Sequence, residues 1–104
     1  MNELAVEQLA LRLPTADCRL LDVREAWEFA LCHIPGSLHV PLGELPARAA
    51  GLPRDQPLVV ICHHGVRSRA AQQYLLEQGW SAVFNLTGGI DAWAREVDPA
   101  MVTY

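Results

Sequence analysis

Leu58-Val59-Val60-Ile61-Cys62-His63-His64-Gly65-Val66-Arg67-Ser68 is the stretch from which the rest of the chain is read. Its four leading residues are apolar and mostly β-branched, the composition of a buried strand. Arg69-Ala70-Ala71-Gln72-Gln73-Tyr74-Leu75-Leu76 follows as a helix. Cys62 therefore stands where a strand gives way to a helix, which is the ligand-binding edge of an open α/β sheet. The first-turn amides of a helix lack helical partners and carry partial positive charge, so aimed at Cys62 they would favour thiolate over thiol. Gly65 allows the sharp turn that lets several amides face one anion. Arg67 adds a fixed charge and a fork of donors suited to an oxyanion. A lone cysteine at a strand end is more often a small buried hydrophobe. The glycine, the arginine and the helix start beside Cys62 instead make a cradle for a nucleophilic sulfur and an anionic substrate.

Outward from this stretch, short strands alternate with helices. Residues 3–5 read as an edge strand. Val6, Leu9, Ala10 and Leu13 fall at helical spacing before Pro14, with Ala5 a poor cap. Residues 20–23 form a second strand and 25–31 a short helix, with Trp27 and Leu31 on one face. Ile34-Pro35-Gly36 is a turn, 37–40 a third strand stopped by Pro41, and 45–50 a brief helix with Pro46 in its first turn. The helix from Ser68 is expected to bury Ala70, Ala71, Tyr74, Leu75 and Leu76, with Gly79 closing it. Residues 82–86 are the last strand, Thr87-Gly88-Gly89 a loop, and a final helix begins over 90–94. The pattern predicts an α/β fold: a central parallel sheet of about five short strands with helices on both faces.

Composition narrows the class. The chain of 104 residues is 51% hydrophobic and 19% charged, the profile of an ordered globule read as one domain over 1–104. Its net charge is −4 with no basic block, which argues against a nucleic-acid partner and means that any anion site is built locally. Met1-Asn2-Glu3-Leu4 lacks the flank and core of a signal peptide, and no apolar run approaches the roughly 20 residues that span a bilayer. Three cysteines, an odd number without an export signal, suggest reduced thiols in the cytoplasm.

Three ordered segments resemble the single-domain rhodaneses, thiosulfate sulfurtransferases. Leu20-Leu21-Asp22-Val23-Arg24-Glu25, with Glu28-Phe29 and His33-Ile34-Pro35-Gly36-Ser37, is similar to the family's amino-terminal signature. Cys62-His63-His64-Gly65-Val66-Arg67-Ser68 is similar to its active-site loop, and Asn85-Leu86-Thr87-Gly88-Gly89-Ile90-Asp91-Ala92-Trp93 to its carboxy-terminal signature. Cys32 departs from the pattern, standing where the family usually has glycine. The resemblance implies a rhodanese-like fold and double displacement through a persulfide on Cys62. The loop amides of His63, His64, Gly65, Val66, Arg67 and Ser68 would bind the substrate sulfur, and no metal or organic cofactor would be needed. Four residues separate Cys62 from Arg67; cysteine phosphatases, including those on this fold, have a longer loop, and the shorter one implies sulfane sulfur rather than phosphate.

Several residues admit two readings. Arg67 either faces the bowl and attracts thiosulfate, the favoured reading, or turns back to a carboxylate and shapes the loop. Ser68 is read as a helix cap. His63 and His64 invite a metal pair or a general base, but loop exposure and electrostatic tuning account for them more simply. His33 and His39 read as structural, as do Asp22, accepting loop amides, and Arg24, pairing with Glu28. Cys18 and Cys32 read as ordinary thiols. Trp27, Trp80 and Trp93 read as core and edge packing, Trp80 partly exposed. Three functions from different classes follow. One is a sulfurtransferase with small-molecule sulfur donor and acceptor. The second is a carrier that takes persulfide from a sulfur-relay protein or thioredoxin-like thiol. The third, opposed by the loop length, is a phosphatase or arsenate reductase. None calls for nucleic acid or a membrane.

Overall fold

The computed structural model describes residues 2–15 and 17–104. Along the chain run β1 (Asn2–Leu4), α1 (Val6–Arg12), β2 (Arg19–Asp22), α2 (Ala26–Leu31), β3 (Leu38–His39), α3 (Leu45–Arg48), β4 (Leu58–Ile61), α4 (Val66–Glu77), β5 (Val83–Leu86) and α5 (Gly89–Glu96). The strands form one sheet in the order β1-β5-β4-β2-β3, and every pairing is parallel.

β4 lies at the centre because each of its residues is apolar and both its faces are covered. Leu58 and Val60 join Leu21, Leu45, Ala71, Leu75 and Trp80 on one side, while Val59 and Ile61 join Leu9, Ile34, Ile90 and Trp93 on the other. This is the two-residue alternation of a strand. It sets α3 and α4 on one face and α1 and α5 on the opposite face. Burial of each such Leu, Ile or Val is worth about 1.5–3 kcal/mol.

Strand order fixes where the chemistry sits. The chain leaves β2 toward β3 and leaves β4 toward β5, in opposite directions from neighbouring strands. The carboxyl ends of β2 and β4 thus flank a topological switch point, where open α/β sheets bind ligands. Asp22 pairs in register with Ile61, so Val23-Arg24 and Cys62 leave the sheet side by side.

The fold corrects several details of the sequence reading. α4 begins at Val66 rather than Ser68, and β3 is only two residues long. Ala70 is exposed, whereas Gln72 is buried, its amide nitrogen donating to the carbonyls of Asn2 and Val83. Trp80 is buried, with the Arg54 guanidinium 4.2 Å from its ring centre. Trp27, read as packing, is 61% exposed. Ala5 caps α1 without a side chain, and Gln8 Oε1 accepts its backbone N–H instead. Among the described residues no helix is long and apolar enough to cross a membrane.

Candidate active site

The backbone of the Cys62 loop is held from behind. Ile90 N–H donates to the Cys62 carbonyl at 2.8 Å and Asp91 N–H to that of His63 at 3.0 Å. In a trans peptide C=O and N–H point in opposite directions. Tying these two carbonyls to the start of α5 therefore turns the amides of His63 and His64 the other way, into the loop. Gly65, at φ +105°, makes the reversal that starts α4. The amides of Val66, Arg67 and Ser68 then belong to a first helical turn, where N–H groups have no helical partner.

Cys62 is buried, and Gly65 N–H donates to its Sγ at 3.0 Å. The Ser68 hydroxyl lies 3.3 Å from the same sulfur and also contacts Asn85 Oδ1. Asn85 Nδ2 donates to the carbonyl of Gly65 at 3.1 Å and to Glu3 Oε1 at 3.0 Å, which turns Oδ1 toward Ser68. Ser68 is thus no helix cap. It sits in the third position of α4, buried, linking the Cys62 sulfur to Asn85 on β5 and, through it, to β1.

Arg67 takes the second of its two sequence readings. Its Nη1 and Nη2 donate to Glu28 Oε1 and Oε2 at 2.6 and 2.8 Å. Glu28, 4% exposed, also accepts the Glu25 N–H at 2.9 Å and the Tyr104 hydroxyl at 2.8 Å. A carboxylate so removed from water requires a cation, and Arg67 supplies it while staying close enough to Cys62 for their charges to interact. Arg24 therefore does not pair with the Glu28 carboxylate. Completely buried, it grips Asp22 through Nε and Nη2, and donates to the carbonyls of Glu28 and Cys32 and to Tyr104 Oη. Asp22 accepts the Arg24 amide, as expected of a residue bracing this strand end.

The Arg67 hydrogen bonds hold the Glu28 carboxyl at a pKa of about 2, against the opposing effect of burial. A depressed carboxylate stabilises the fold above its unfolded pKa of about 4.5, and that contribution disappears as pH falls toward 2. With allowance for solvent around half-open Arg67, it amounts to about 2 kcal/mol. Arg67→Gln is expected to lose about this much at pH 7 and only about a quarter of it at pH 2.5, read as the gap between urea-unfolding curves of the two proteins across that range. Burial, reinforced by the Glu28 hydrogen bond, pushes the Tyr104 phenol up to about 12, so Tyr104 stays a donor to Glu28 throughout this range.

The histidines face outward. His63 stacks between His64, at 4.0 Å, and Tyr104, at 3.9 Å, and burial together with His64 lowers its pKa. His64 is exposed, with Nε2 4.0 Å from Asp91 Oδ2. His63, His64 and Asp91 offer ligand atoms within 4.8 Å of one another. A metal binds in the plane of an imidazole, however, and two rings stacked at 23° share no such point at bonding distance. Asp91 is moreover bound to Arg95 at 3.1 Å. His33 and His39 sandwich Phe29 and bond the carbonyls of Phe29 and Arg24. Cys18 and Cys32 border the core opposite the one that holds Cys62. Two surface hollows of about 420 and 360 Å³ include no residue of the 62–68 loop, and the second opens at the far ends of β4 and β5.

Glu28, Asn85, Gly89 and Tyr104 complete the site, although none was given a role there from the sequence. The first three lie inside the quoted signatures. Tyr104 gave no signal, since its partners are 76 and 80 positions away.

A family profile described as "Rhodanese-like domain" matches residues 5–96. A protein named sulfurtransferase from Allochromatium vinosum is 43% identical over 96 residues, covering 91% of this chain and 90% of its own. The crystal structure of a rhodanese-related protein from Thermoplasma volcanium superposes with a TM-score of 0.86 at 32% identity, over 93% and 94% of the two chains. A NAD-dependent persulfide reductase from A. fulgidus matches at 32% identity and a TM-score of 0.72, over 89% of this chain and 16% of its own.

Proposed function

Because the chain belongs to the rhodanese-like domain family, we propose that it is a sulfurtransferase carrying sulfane sulfur as a persulfide on Cys62. The supporting observation is a buried sulfur accepting the Gly65 amide at 3.0 Å, inside a loop whose carbonyls are tied back to α5. The thiolate of Cys62 attacks the outer sulfur of thiosulfate or a persulfide donor, the donor's S–S bond breaks, and sulfite or a thiolate leaves with the electron pair. A second nucleophile, cyanide in an assay or a thiol, then attacks the terminal sulfur and restores Cys62. Covalent catalysis of this kind divides one transfer into two easier ones. The terminal persulfide sulfur, also anionic, meets the same loop amides of residues 63–68. The reaction asks for no metal or organic cofactor, and a reduced thiol suits the cytoplasm. Intact-mass analysis after mixing with thiosulfate or a thiol persulfide is expected to show the gain of one sulfur atom, located on Cys62 and removed by cyanide. No gain from either donor overturns the reading.

A second reading has an observation of its own. The matching domain within a persulfide reductase favours a carrier that exchanges sulfur with a partner protein or thioredoxin-like thiol. Steady-state turnover with thiosulfate and cyanide separates the two, because a dedicated carrier turns over slowly without its partner.

A further inference from the structure

We infer that the donor this site favours is an organic persulfide, R–S–SH, over the thiosulfate dianion, and that Glu28 sets the preference by neutralising Arg67. The inference deepens the Cys62 reading above and rests on it.

The first ground is charge. All eight basic residues of the chain are arginines. Seven stand in ion pairs, and the eighth, Arg54, stacks on Trp80. Around the loop, Arg67 belongs to Glu28, Arg24 to Asp22 and Arg95 to Asp91. Glu28 is fixed by four hydrogen bonds, two from Arg67, one from Tyr104 and one from the Glu25 amide. It does not swing away and leave Arg67 to a ligand without breaking them. A dianion thus approaches a bowl whose cations are spent, on a protein of net charge −4. Coulomb energy scales with ligand charge, so this handicap falls twice as heavily on thiosulfate as on a species carrying at most one negative charge.

The second ground is the rim. Exposed Trp27 meets the Tyr104 ring edge-on at 5.8 Å, and Tyr104 in turn lies flat on His63 of the loop. This is an aromatic wall on which an organic R group gains contact area, and thiosulfate has no such group. The chemistry balances without a further reagent. Cys62 sulfur bonds the outer sulfur of R–S–SH, the donor's S–S bond breaks, the thiolate RS⁻ leaves with the electron pair, and Cys62–S–SH remains.

The test compares kcat/KM for thiosulfate and benzyl persulfide, whose only ionisable group is its S–SH, in wild type and Glu28→Gln, with each donor also run over a range of salt concentration. Wild type is expected to use the persulfide at least about tenfold better, with thiosulfate kcat/KM not falling as salt rises. Glu28→Gln frees the Arg67 charge and is expected to raise the thiosulfate-to-persulfide ratio about fivefold, with thiosulfate use now falling steeply with salt. Preference for thiosulfate in wild type, or a ratio unmoved in Glu28→Gln, overturns the inference while leaving Cys62 chemistry intact. Should the variant not fold, the wild-type salt profile decides: a steep fall for thiosulfate means an open cation at the site and rejects the role of Glu28. Absence of sulfur uptake from both donors sinks the underlying reading instead.

Discussion

Cys62→Ser lowers sulfur transfer by at least about a thousandfold and leaves the fold in place. A serine hydroxyl is not ionised near neutral pH and forms no persulfide, so the first half-reaction loses its acceptor atom and the second its donor. The substitution is otherwise mild. The new oxygen can accept the Gly65 N–H and bond the Ser68 hydroxyl, both of which already face the sulfur, so the buried polar atom is satisfied and stability shifts by no more than about 1 kcal/mol. The measurements are steady-state sulfur transfer, intact mass after exposure to donor, and urea unfolding. Turnover persisting at more than a few per cent in a folded variant would transfer the nucleophile's role elsewhere.

Gly89→Ala has the largest expected effect on stability. Gly89 has φ +58°, and a Cβ there would fall on the carbonyl of Cys62 and 2.6 Å from that of His63. A left-handed non-glycine residue costs about 1–2 kcal/mol, and displacing packed backbone adds about 1–3. The sum is a large share of the roughly 5–15 kcal/mol that holds a domain together. The same displacement breaks the hydrogen bonds from Ile90 and Asp91 that orient the loop, so alkylation of Cys62 by iodoacetamide should slow in whatever folded fraction survives. Gly43→Ala is the control, since a Cβ there meets nothing within 4 Å and no positive φ is involved; it is expected to fall within about 0.5 kcal/mol of wild type. Equal stability of the two variants would show that the contact between α5 and the loop is not tight.

The sequence carried the layered architecture because Leu58-Val59-Val60-Ile61 is too apolar for any place but a covered strand, and its neighbours alternate with helices. It carried the buried Cys62 sulfur and its amide donor because Cys62, Gly65 and the helix start lie within a few residues of one another. What escaped it depends on long-range pairing. Arg67 offers the same guanidinium whether it faces a ligand or a carboxylate, and only the fold brings Glu28 across 39 positions to claim it. Ser68 looked like a cap because serine caps helices; with Gly65 in that place, its hydroxyl turns inward to Asn85. Ala70 and Gln72 exchanged places for a similar reason, since propensity cannot see the two carbonyls that make a buried glutamine acceptable. Trp27 is exposed because α2 packs beyond the end of β2 and buries only Glu28.

The tie from Asn85 back to Glu3 has a consequence for the order in which the protein comes to life. The groups that brace the thiol are recruited from both ends of the chain, at separations of 82 positions for Glu3 with Asn85 and 80 for Arg24 with Tyr104. Contacts so remote in sequence are slow to close. An unfinished chain therefore carries a sulfur without its supporting scaffold, and full chemical competence arrives only with the last tertiary contacts.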